Sequence, residues 1–325
     1  MSIRVGIVGV SGYGGGEALR ICAGHPEFEI VYVAGESSAG QKLGDRFPGL
    51  SGKLAELTIA KWDPAGVAGL DVLFASLPTG ESKESLAKIP PKVKVVDIGG
   101  DHRFVDGWTY GLADVWPNEI KKTTRIANPG CFPAASLTAL APLVSAKLIE
   151  PNSIIIDAKT GISGAGRGGG ESKFGYSELN EDVSAYGLLK HVHIPEMSKA
   201  IGKLAGAAPP PVTFTPHLVP MTRGILATCY ARGKATTEQC IEAAKAFYKN
   251  RTFVRVTSQP PHSKWANGSN LVFISYAADP ELGIVIAMGA IDNLGKGAAG
   301  QAVQNANLMC GLDETAGLEG GPLWP

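Results

Sequence analysis

The stretch IRVGIVGVSGYGGGEALR, residues 3–20, joins a short apolar run to a glycine-rich turn and then to a helical segment. Gly9, Gly12 and Gly15 follow the apolar run with the spacing G-x-x-G-x-x-G. Glycines there allow a tight turn and a close approach of the backbone to a pyrophosphate at the N-terminus of the helix. A glycine-rich turn without a ligand is the alternative. The strand–turn–helix context favours dinucleotide binding, with contacts from Gly9, Ser11, Gly12, Tyr13, Gly14 and Gly15.

Further apolar runs, each closed by a turn signal, follow at residues 29–35, 71–78, 93–100 and 124–130. Strands that alternate with helical segments are typical of an α/β fold with a doubly wound parallel sheet. After about residue 150 the apolar runs come at closer intervals, and one clear helix spans 236–250. This second part predicts an α+β domain with a mixed or antiparallel sheet.

The segment 293–311 has Ala, Val and Leu at positions that suit a helix, and we expect that helix to pack on the first domain. The chain is therefore predicted to form one domain from residues 1–132 with 300–325 and a second domain from residues 133–299. No internal repeat or low-complexity segment interrupts this division.

The charge of the chain is balanced, with 30 Lys and Arg against 30 Asp and Glu, and 44% of its residues are hydrophobic. No strong net field favours a nucleic acid or an anionic membrane. The apolar runs are too short to span a bilayer, and the first residues lack the architecture of a signal peptide. Five cysteines without C-x-x-C spacing argue against a disulfide framework and a zinc site. We therefore expect a cytoplasmic protein that acts on a small molecule.

Cys131 stands in NPGCFP, residues 128–133, between a Pro-Gly turn and Pro133, which suits the first position of a helix. A helix N-terminus stabilises a thiolate through its dipole and free N–H groups, and those groups can also hold an oxyanion. Pro142 must kink or shorten this helix. A buried cysteine acting as a small hydrophobe is the alternative; it explains the other cysteines but not this turn. Cys131 is therefore the candidate nucleophile.

A cysteine nucleophile needs a base, and the chain has six histidines. His191 and His193 stand two apart in HVHIPE, so both face the same side of an extended segment, and Glu196 follows. A metal site from the pair and the carboxylate is an alternative, and so is a hydrogen-bonded structural pair. His217 is a third candidate base.

Cations recur in glycine-rich loops, at Arg103, Lys159, Arg167 and Arg223. Each alone is a common surface charge, but together they suit a small, multiply anionic substrate. At the end of the second predicted strand, Glu36 could accept from the ribose hydroxyls of NAD, whereas Ser37 and Ser38 could donate to the 2′-phosphate of NADP. The preference between NAD and NADP stays open on these residues.

Six motifs in this order carry a family resemblance: GIVGVSGYGGGEALR, NPGCFP, SGAGR, HVHIPE, FTPHLVPMTRGIL and DNLGKGAAGQA. They resemble the N-acetyl-γ-glutamyl-phosphate reductases, a family related to aspartate-semialdehyde dehydrogenase. The resemblance runs from residue 3 to the C-terminal helix. It implies a Rossmann domain completed by that helix, an α/β catalytic domain that carries much of the oligomer interface, and a homodimer or homotetramer.

The resemblance also implies an NADPH-dependent reduction of an acyl phosphate through a thioester on Cys131, in arginine biosynthesis. The implied acid/base is His193, and His191 and Glu196 orient it or bind substrate. The order of the two histidines stays open. The same motifs imply substrate contacts from Arg103, Asn128, Lys159, Ser163, Arg167, His217 and Arg223, and cofactor contacts from Ser37, Ser38 and Asn293.

Other activities remain as alternatives. Within the class, these are an aspartate-semialdehyde dehydrogenase and a lysine-pathway reductase that acts on α-aminoadipyl phosphate attached to a carrier protein. That sister enzyme often has H-R-H-T-A-E where this chain has HVHIPE, which favours the glutamyl substrate. From other classes, a Cys–His hydrolase would not need the glycine loop, and a redox-sensing dinucleotide binder would leave the histidine pair unexplained.

Overall fold

The computed structural model describes residues 2–167 and 175–323, which fall into two units. Of the described residues, the first unit holds 2–129, 166–167 and 298–320. The second unit holds 130–165, 175–297 and 321–323. No helix among the described residues has the length and apolar character needed to cross a membrane.

The first unit is built on a six-stranded sheet with the order β2-β1-β3-β4-β6-β5, in which every pairing is parallel. Its central strands are buried and apolar because helical segments connect parallel strands and cover the faces of such a sheet. The strands are β1 (Ile3–Val8), β2 (Phe28–Ala34), β3 (Val72–Ala75), β4 (Lys94–Asp97), β5 (Thr109–Tyr110) and β6 (Arg125–Ala127).

The helices of this unit include one from the far end of the chain, α10 (Gly300–Cys310), which packs against the first helix and β4. Asn305 on α10 is fully buried, and its amide donates to the carbonyl of Gly111 (2.8 Å) and to Asn128 Oδ1 (2.9 Å). Polar side chains therefore help to attach the last helix to this unit. The other helices are α1 (Tyr13–Ala23), α2 (Leu43–Arg46), α3 (Gly52–Ala55), α4 (Ser82–Leu86) and α5 (Pro117–Ile120).

The second unit is built on a seven-stranded mixed sheet with the order β11-β12-β13-β10-β7-β9-β8. Two pairings are parallel, β7 with β9 and β11 with β12, and the others are antiparallel. The strands are β7 (Ile155–Thr160), β8 (Ser184–Ala185), β9 (Thr213–Leu218), β10 (Ile225–Arg232), β11 (Val254–Val256), β12 (Val272–Asp279) and β13 (Ile284–Ile291).

Helix α6 (Cys131–Ser145) lies against this sheet, and the space above Gly289 of β13 is filled by Ala135 of α6. The other helices of the unit are α7 (Tyr176–Leu179), α8 (Ile194–Ala205) and α9 (Thr237–Phe247), the last opened by a capping box between Thr236 and Gln239. Single turns of 3-10 or π type lie at Pro64–Val67, Pro151–Ser153, Ile162–Ala165, Ser263–Ala266 and Gly295–Ala299.

Helix α6 continues through Pro142, so the helix is not shortened there. Proline has no N–H for the carbonyl of Thr138, four residues earlier. The hydroxyl of Tyr248 donates to that carbonyl at 2.8 Å, and the hydroxyl of Tyr276 donates to the next carbonyl, Ala139, at 2.9 Å. Two buried tyrosines therefore bond to the carbonyls around the proline.

The predicted fold class is confirmed, with a parallel sheet in the first unit and a mixed sheet in the second. The strands predicted from apolar runs are all present, although several are shorter by a few residues. The two-residue strands β5 and β8 were not predicted. The catalytic-region helix begins at Cys131 itself, two residues before the predicted start at Pro133.

Candidate active site

Cys131 is the first residue of α6, in the second unit. Gly130 before it has extended backbone dihedrals of φ −68° and ψ 159°, which turn the chain into the helix. No side chain among the described residues caps this N-terminus, and the first turn carries no acidic residue. The thiol is half-buried, and it lies where the helix dipole and the N–H groups of the first turn favour an anion. The site suits a thiolate nucleophile.

His193 lies directly against the turn before Cys131. Its ring atoms Cε1 and Cδ2 are 2.7 and 2.8 Å from the position that a Cβ on Gly130 would take. The imidazole is buried, and the N–H of Gly130 donates to Oε1 of the buried Glu196 at 2.9 Å. Three predicted catalytic side chains are therefore brought together at one turn, Cys131 with His193 and Glu196.

His191 is neighbour to His193, with ring centroids 4.8 Å apart. The N–H of His193 donates to Nδ1 of His191 at 3.1 Å, so the proton of a neutral His191 ring is on Nε2. Burial lowers the pKa of His191 below its usual value. The ring of Phe132, the second residue of α6, contacts both imidazoles edge-on, with centroids 5.6 and 6.0 Å away. This packing fixes both rings relative to Cys131.

Tyr186 is a member of this cluster that the sequence analysis did not identify. Burial, and in second place the negative charge of a Cys131 thiolate, raise the pKa of Tyr186. Its ring centroid is 5.7 Å from that of His191. The hydroxyl is therefore a neutral group close to the thiol. The signal in the sequence was an aromatic residue five positions before His191, which spacing alone does not distinguish from a packing residue.

Arg223 is held by a buried carboxylate. Its Nε donates to Asp292 Oδ2 at 2.9 Å, and the same oxygen accepts the N–H of Gly268 at 2.6 Å. The amide of Asn293 donates to Ser163 Oγ (2.9 Å) and accepts the N–H of Gly224 (2.7 Å). Asn293, predicted to contact the cofactor, is thus a buried member of the second unit and connects the loops of Ser163 and Arg223.

Lys159 and His217 lie next to each other on adjacent strands, both close to one oxygen of Asp157. That oxygen is 2.6 Å from Lys159 Nζ and 3.3 Å from His217 Nδ1. The alternating residues of β7 are buried, and the buried face of the sheet is the one that α6 covers. The structure therefore places Lys159 and His217 on the sheet face opposite to α6.

Arg103 and Asn128, also predicted to contact substrate, belong to the first unit. Nε of Arg103 donates to the carbonyl of Asn128 at 3.0 Å. The Asn128 amide donates to the carbonyl of Ala298 (3.0 Å) and accepts from Asn305 (2.9 Å), and the side chain is fully buried. Asn128 therefore fixes the segment before Cys131 and the start of α10, while its carbonyl orients Arg103.

The glycine loop between β1 and α1 borders a cavity of about 480 Å³ in the first unit. Gly9 has φ +76°, a backbone conformation that favours glycine. A Cβ on Gly15 would lie within 2.9 Å of the backbone of Gly9 and Val10, so Gly9 and Gly15 both have to be glycine. Gly12 borders the cavity, and within residues 2–167 and 175–323 no side chain caps α1, whose first turn also has no acidic residue. The other walls include Glu36, Ser37, Arg46, Trp62 and Arg167.

Two predicted residues have different surroundings from those expected. Arg167 was predicted to contact substrate, but its guanidinium donates to the carbonyl of Ser11 at 3.1 Å and lies 5.7 Å from the ring centroid of Tyr13. It therefore belongs to the wall of the nucleotide-sized cavity. Ser38 is buried and its hydroxyl is bonded to that of Ser11, so it joins the end of β2 to the glycine loop.

A metal centre finds no support in residues 2–167 and 175–323, which contain no group of three or more His, Cys, Asp or Glu side chains arranged to hold a metal ion. His193 and Glu196 instead both contact Gly130, in the turn before Cys131.

Comparison with known proteins gives matches over both units. Residues 4–123 match the family described as semialdehyde dehydrogenase, NAD binding domain, and residues 131–293 match semialdehyde dehydrogenase, dimerisation domain. An N-acetyl-gamma-glutamyl-phosphate reductase of Bradyrhizobium sp. (strain BTAi1) is 70% identical over 325 residues, which is the whole of both chains. The chain belongs to the N-acetyl-gamma-glutamyl-phosphate reductase family. A more distant relative of the same name, from Salinispora tropica, is 42% identical over 98% of each chain.

Solved structures of two aspartate semialdehyde dehydrogenases have a similar fold. Aspartate semialdehyde dehydrogenase II of Vibrio cholerae, complexed with ASA, is 18% identical with a TM-score of 0.75, covering 95% of this chain and 98% of that one. Aspartate semialdehyde dehydrogenase of Candida albicans, solved with NADP, is 18% identical with a TM-score of 0.71, covering 95% and 99%. At this identity the likeness concerns the fold, and it agrees with the family membership.

Proposed function

We propose that this protein reduces N-acetyl-γ-glutamyl phosphate to N-acetyl-L-glutamate 5-semialdehyde with NADPH and releases phosphate, a step of arginine biosynthesis. The observation that carries the proposal is the 70% identity, over the whole of both chains, to a curated reductase of this name. The arrangement of Cys131 at a helix N-terminus beside His193 is consistent with it.

The residues of the first unit fit the dinucleotide that this activity needs. The turn at Gly9 brings backbone to the cavity wall, and the uncapped N-terminus of α1 offers N–H groups to a pyrophosphate. Gly12, Gly14 and Gly15 would approach the phosphates, Ser37 would bind the ribose end, and Tyr13 and Arg167 would cover the loop. Bound NADPH supplies a hydride.

Cys131 acts as the nucleophile in this proposal. Its thiolate attacks the γ-acyl carbon, the C–S bond forms, and the bond between that carbon and the phosphate oxygen breaks, so that phosphate leaves and a thioester remains. N–H groups in the first turn of α6 stabilise the negative oxygen during attack. After hydride addition the C–S bond breaks, the aldehyde leaves and the thiolate is restored.

His193 acts as the acid/base, because its ring lies on the turn that carries the thiol. It takes the thiol proton before attack, gives it to the oxygen of the thiohemiacetal, and takes it back as the C–S bond breaks. His191 has its Nδ1 occupied by the N–H of His193, so it donates from Nε2 to the substrate. This division of roles is our proposal for the order left open by the sequence.

Glu196 is a positioning residue in this proposal, since its carboxylate accepts the N–H of Gly130 and thereby holds the turn. Arg223, held by Asp292, and Arg103, oriented by Asn128, are the cations proposed to bind the anionic groups of the substrate. Ser163 is connected to the loop of Arg223 through Asn293, which accepts the N–H of Gly224. Lys159 and His217 remain predicted substrate contacts.

The test is the reverse reaction. The purified protein should reduce NADP in the presence of N-acetylglutamate semialdehyde and phosphate, and Cys131→Ser should abolish turnover while leaving NADP binding intact. Cys310→Ser, a change at the other half-buried cysteine, is the control and should keep full activity. Full activity in Cys131→Ser would overturn the mechanism. Faster turnover of the aspartyl or α-aminoadipyl acyl phosphate in a side-by-side assay would overturn the substrate assignment.

We also propose that the protein is a homodimer or homotetramer and works in the cytoplasm, where NADPH and reduced thiols are maintained. The second unit matches a dimerisation domain and exposes large apolar side chains, among them Val183, Leu188, Leu189 and Val192. Such a patch favours association. Light scattering of the eluting protein should give a mass two or four times the chain mass of 33.8 kDa.

A further inference from the structure

Arg46, the last residue of the short helix α2, is a cation on the wall of the first unit's cavity. Its Nε is shielded from solvent and donates to no acceptor within residues 2–167 and 175–323. A shielded donor on a charged group is unfavourable until an acceptor fills the space in front of it. The guanidinium is therefore a cation that lacks an acceptor at one N–H and borders a space of nucleotide size.

The carboxylate of Glu36 borders the same cavity, yet no ion pair joins Glu36 to Arg46 in the described part of the chain. Glu36 is exposed to solvent, so its charge is screened. Ser37 is exposed beside it, whereas the hydroxyl of Ser38 is already bonded to Ser11. The cavity is thus bordered by the hydroxyl of Ser37, the solvated carboxylate of Glu36 and the guanidinium of Arg46, and the exposed Glu81 lies on its wall as well.

Arg167 is the other arginine of the cavity, but it is already engaged. Its guanidinium donates to the carbonyl of Ser11 and lies over the ring of Tyr13. Both partners belong to the glycine loop, where the pyrophosphate would bind. Arg46 lies instead on the element that follows the end of β2, where the adenosine ribose would bind.

We propose that Arg46 reads the 2′-phosphate of the cofactor and gives the protein its preference for NADP(H) over NAD(H), an inference that rests on the proposed function. A guanidinium forms paired, charge-assisted hydrogen bonds with a phosphate, and the shielded Nε supplies one of them. The 2′-hydroxyl of NAD is neutral and cannot form this paired, charge-assisted interaction. Glu36 favours NAD at this position, since its carboxylate would repel the 2′-phosphate. This repulsion is smaller than the attraction by Arg46, because Glu36 is solvated whereas Arg46 is partly shielded from solvent.

The test compares two fragments that differ only in the phosphate, 2′,5′-ADP and 5′-AMP, by calorimetric titration of the full-length protein. The wild type should bind 2′,5′-ADP more tightly. Arg46→Gln should weaken 2′,5′-ADP by about 10- to 100-fold, the range for hydrogen bonds to a charged group, and leave 5′-AMP unchanged. Arg46→Lys keeps the charge without the planar fork and should give a smaller loss.

Lys42→Gln is the matched control, because Lys42 is a cation immediately before α2 that donates to the carbonyl of Glu56 and does not border the cavity. An equal loss of 2′,5′-ADP in Lys42→Gln and Arg46→Gln would overturn the inference, as would equal binding of the two fragments to the wild type. Should neither fragment nor NADP bind the wild type, the proposed function fails as well. Thermal melts of each variant establish that it is folded, and Arg46→Lys carries the test if Arg46→Gln is not.

Discussion

The imidazole of His193 occupies the space that a side chain on Gly130 would need, with Cε1 only 2.7 Å from the position of a Cβ. Gly130 therefore has to be glycine although its φ of −68° is open to any residue. The reason is the close approach of the imidazole to the turn that begins α6. This relation places the proposed acid/base beside the turn that carries the proposed nucleophile, Cys131.

Gly130→Ala should displace His193 from the turn and lower kcat on the order of a hundredfold, as misplacement of a catalytic group by about 1 Å does. The cofactor affinity should stay the same because the glycine loop is in the first unit. Steady-state kinetics with a parallel NADP titration measure both quantities. Gly24→Ala is the control, since its Cβ would be 3.9 Å from the nearest atom. Unchanged kcat in Gly130→Ala would contradict the proposed role of His193.

The two histidines should separate in their pH dependence. Burial lowers the pKa of His191, so this ring is neutral at and above its usual value near ~6.5 and cannot give rise to a limb of the rate profile in that range. His191→Asn should raise KM and keep the shape of the kcat profile, because its proposed role is donation from Nε2 to the substrate. His193→Asn should lower kcat by about 100- to 10,000-fold, the contribution of general acid/base catalysis, and remove a limb of the profile. The reverse pattern would exchange the two assignments.

His25 should make the first unit sensitive to acid. Its Nδ1 accepts the N–H groups of Glu27 (3.1 Å) and Phe28 (3.2 Å), and its Nε2 donates to Asn307 (3.0 Å). Burial lowers the pKa of His25, although the carboxylate of Glu27, 3.8 Å away and half-exposed, acts in the opposite direction. Protonation would put a proton on Nδ1, which would then face the N–H groups of Glu27 and Phe28 and could no longer accept them.

Because the folded pKa of His25 is lowered, the unfolded chain binds this proton more readily. The stabilisation is complete above the usual value near ~6.5 and is lost as the pH falls below it, by at most about 1.4 kcal/mol per pH unit. Urea unfolding at several pH values measures the slope. His25→Gln should be less stable at neutral pH but lose this part of the acid dependence, whereas His262→Gln, at an exposed histidine, should keep it. An unaltered slope in His25→Gln would refute the explanation.

Tyr248 and Pro142 should be coupled in stability, since the Tyr248 hydroxyl bonds the carbonyl that Pro142 leaves without an N–H. Tyr248→Phe leaves the buried carbonyl of Thr138 unsatisfied and should lower the free energy of unfolding by about 1–3 kcal/mol. In a Pro142→Ala background the loss should be smaller, because alanine supplies an N–H four residues on from Thr138. A double-mutant cycle in urea measures the difference. Tyr230→Phe, at a half-exposed tyrosine of β10, is the control and should cost little.

The sequence determined those features that depend on local spacing. Apolar runs with turn signals predicted the sheets of both units, and the glycine spacing after β1 predicted the turn with φ +76° at Gly9. A thiol between a Pro-Gly turn and an apolar helix predicted Cys131 at a helix N-terminus. The two-residue strands β5 and β8 were missed because such strands are too short to show a period.

The tertiary structure decided which distant residues meet. Gly130 and His193 are 63 positions apart, and only the packing of α8 beside α6 brings the imidazole onto the turn. The same holds for Arg167 on the glycine loop, Tyr186 near Cys131, and Lys159 on the sheet face opposite to α6. Spacing along the chain fixes which side of its own strand or helix a residue faces. Which other element covers that side follows from how apolar faces are buried against each other, and a single sequence pattern does not contain that choice.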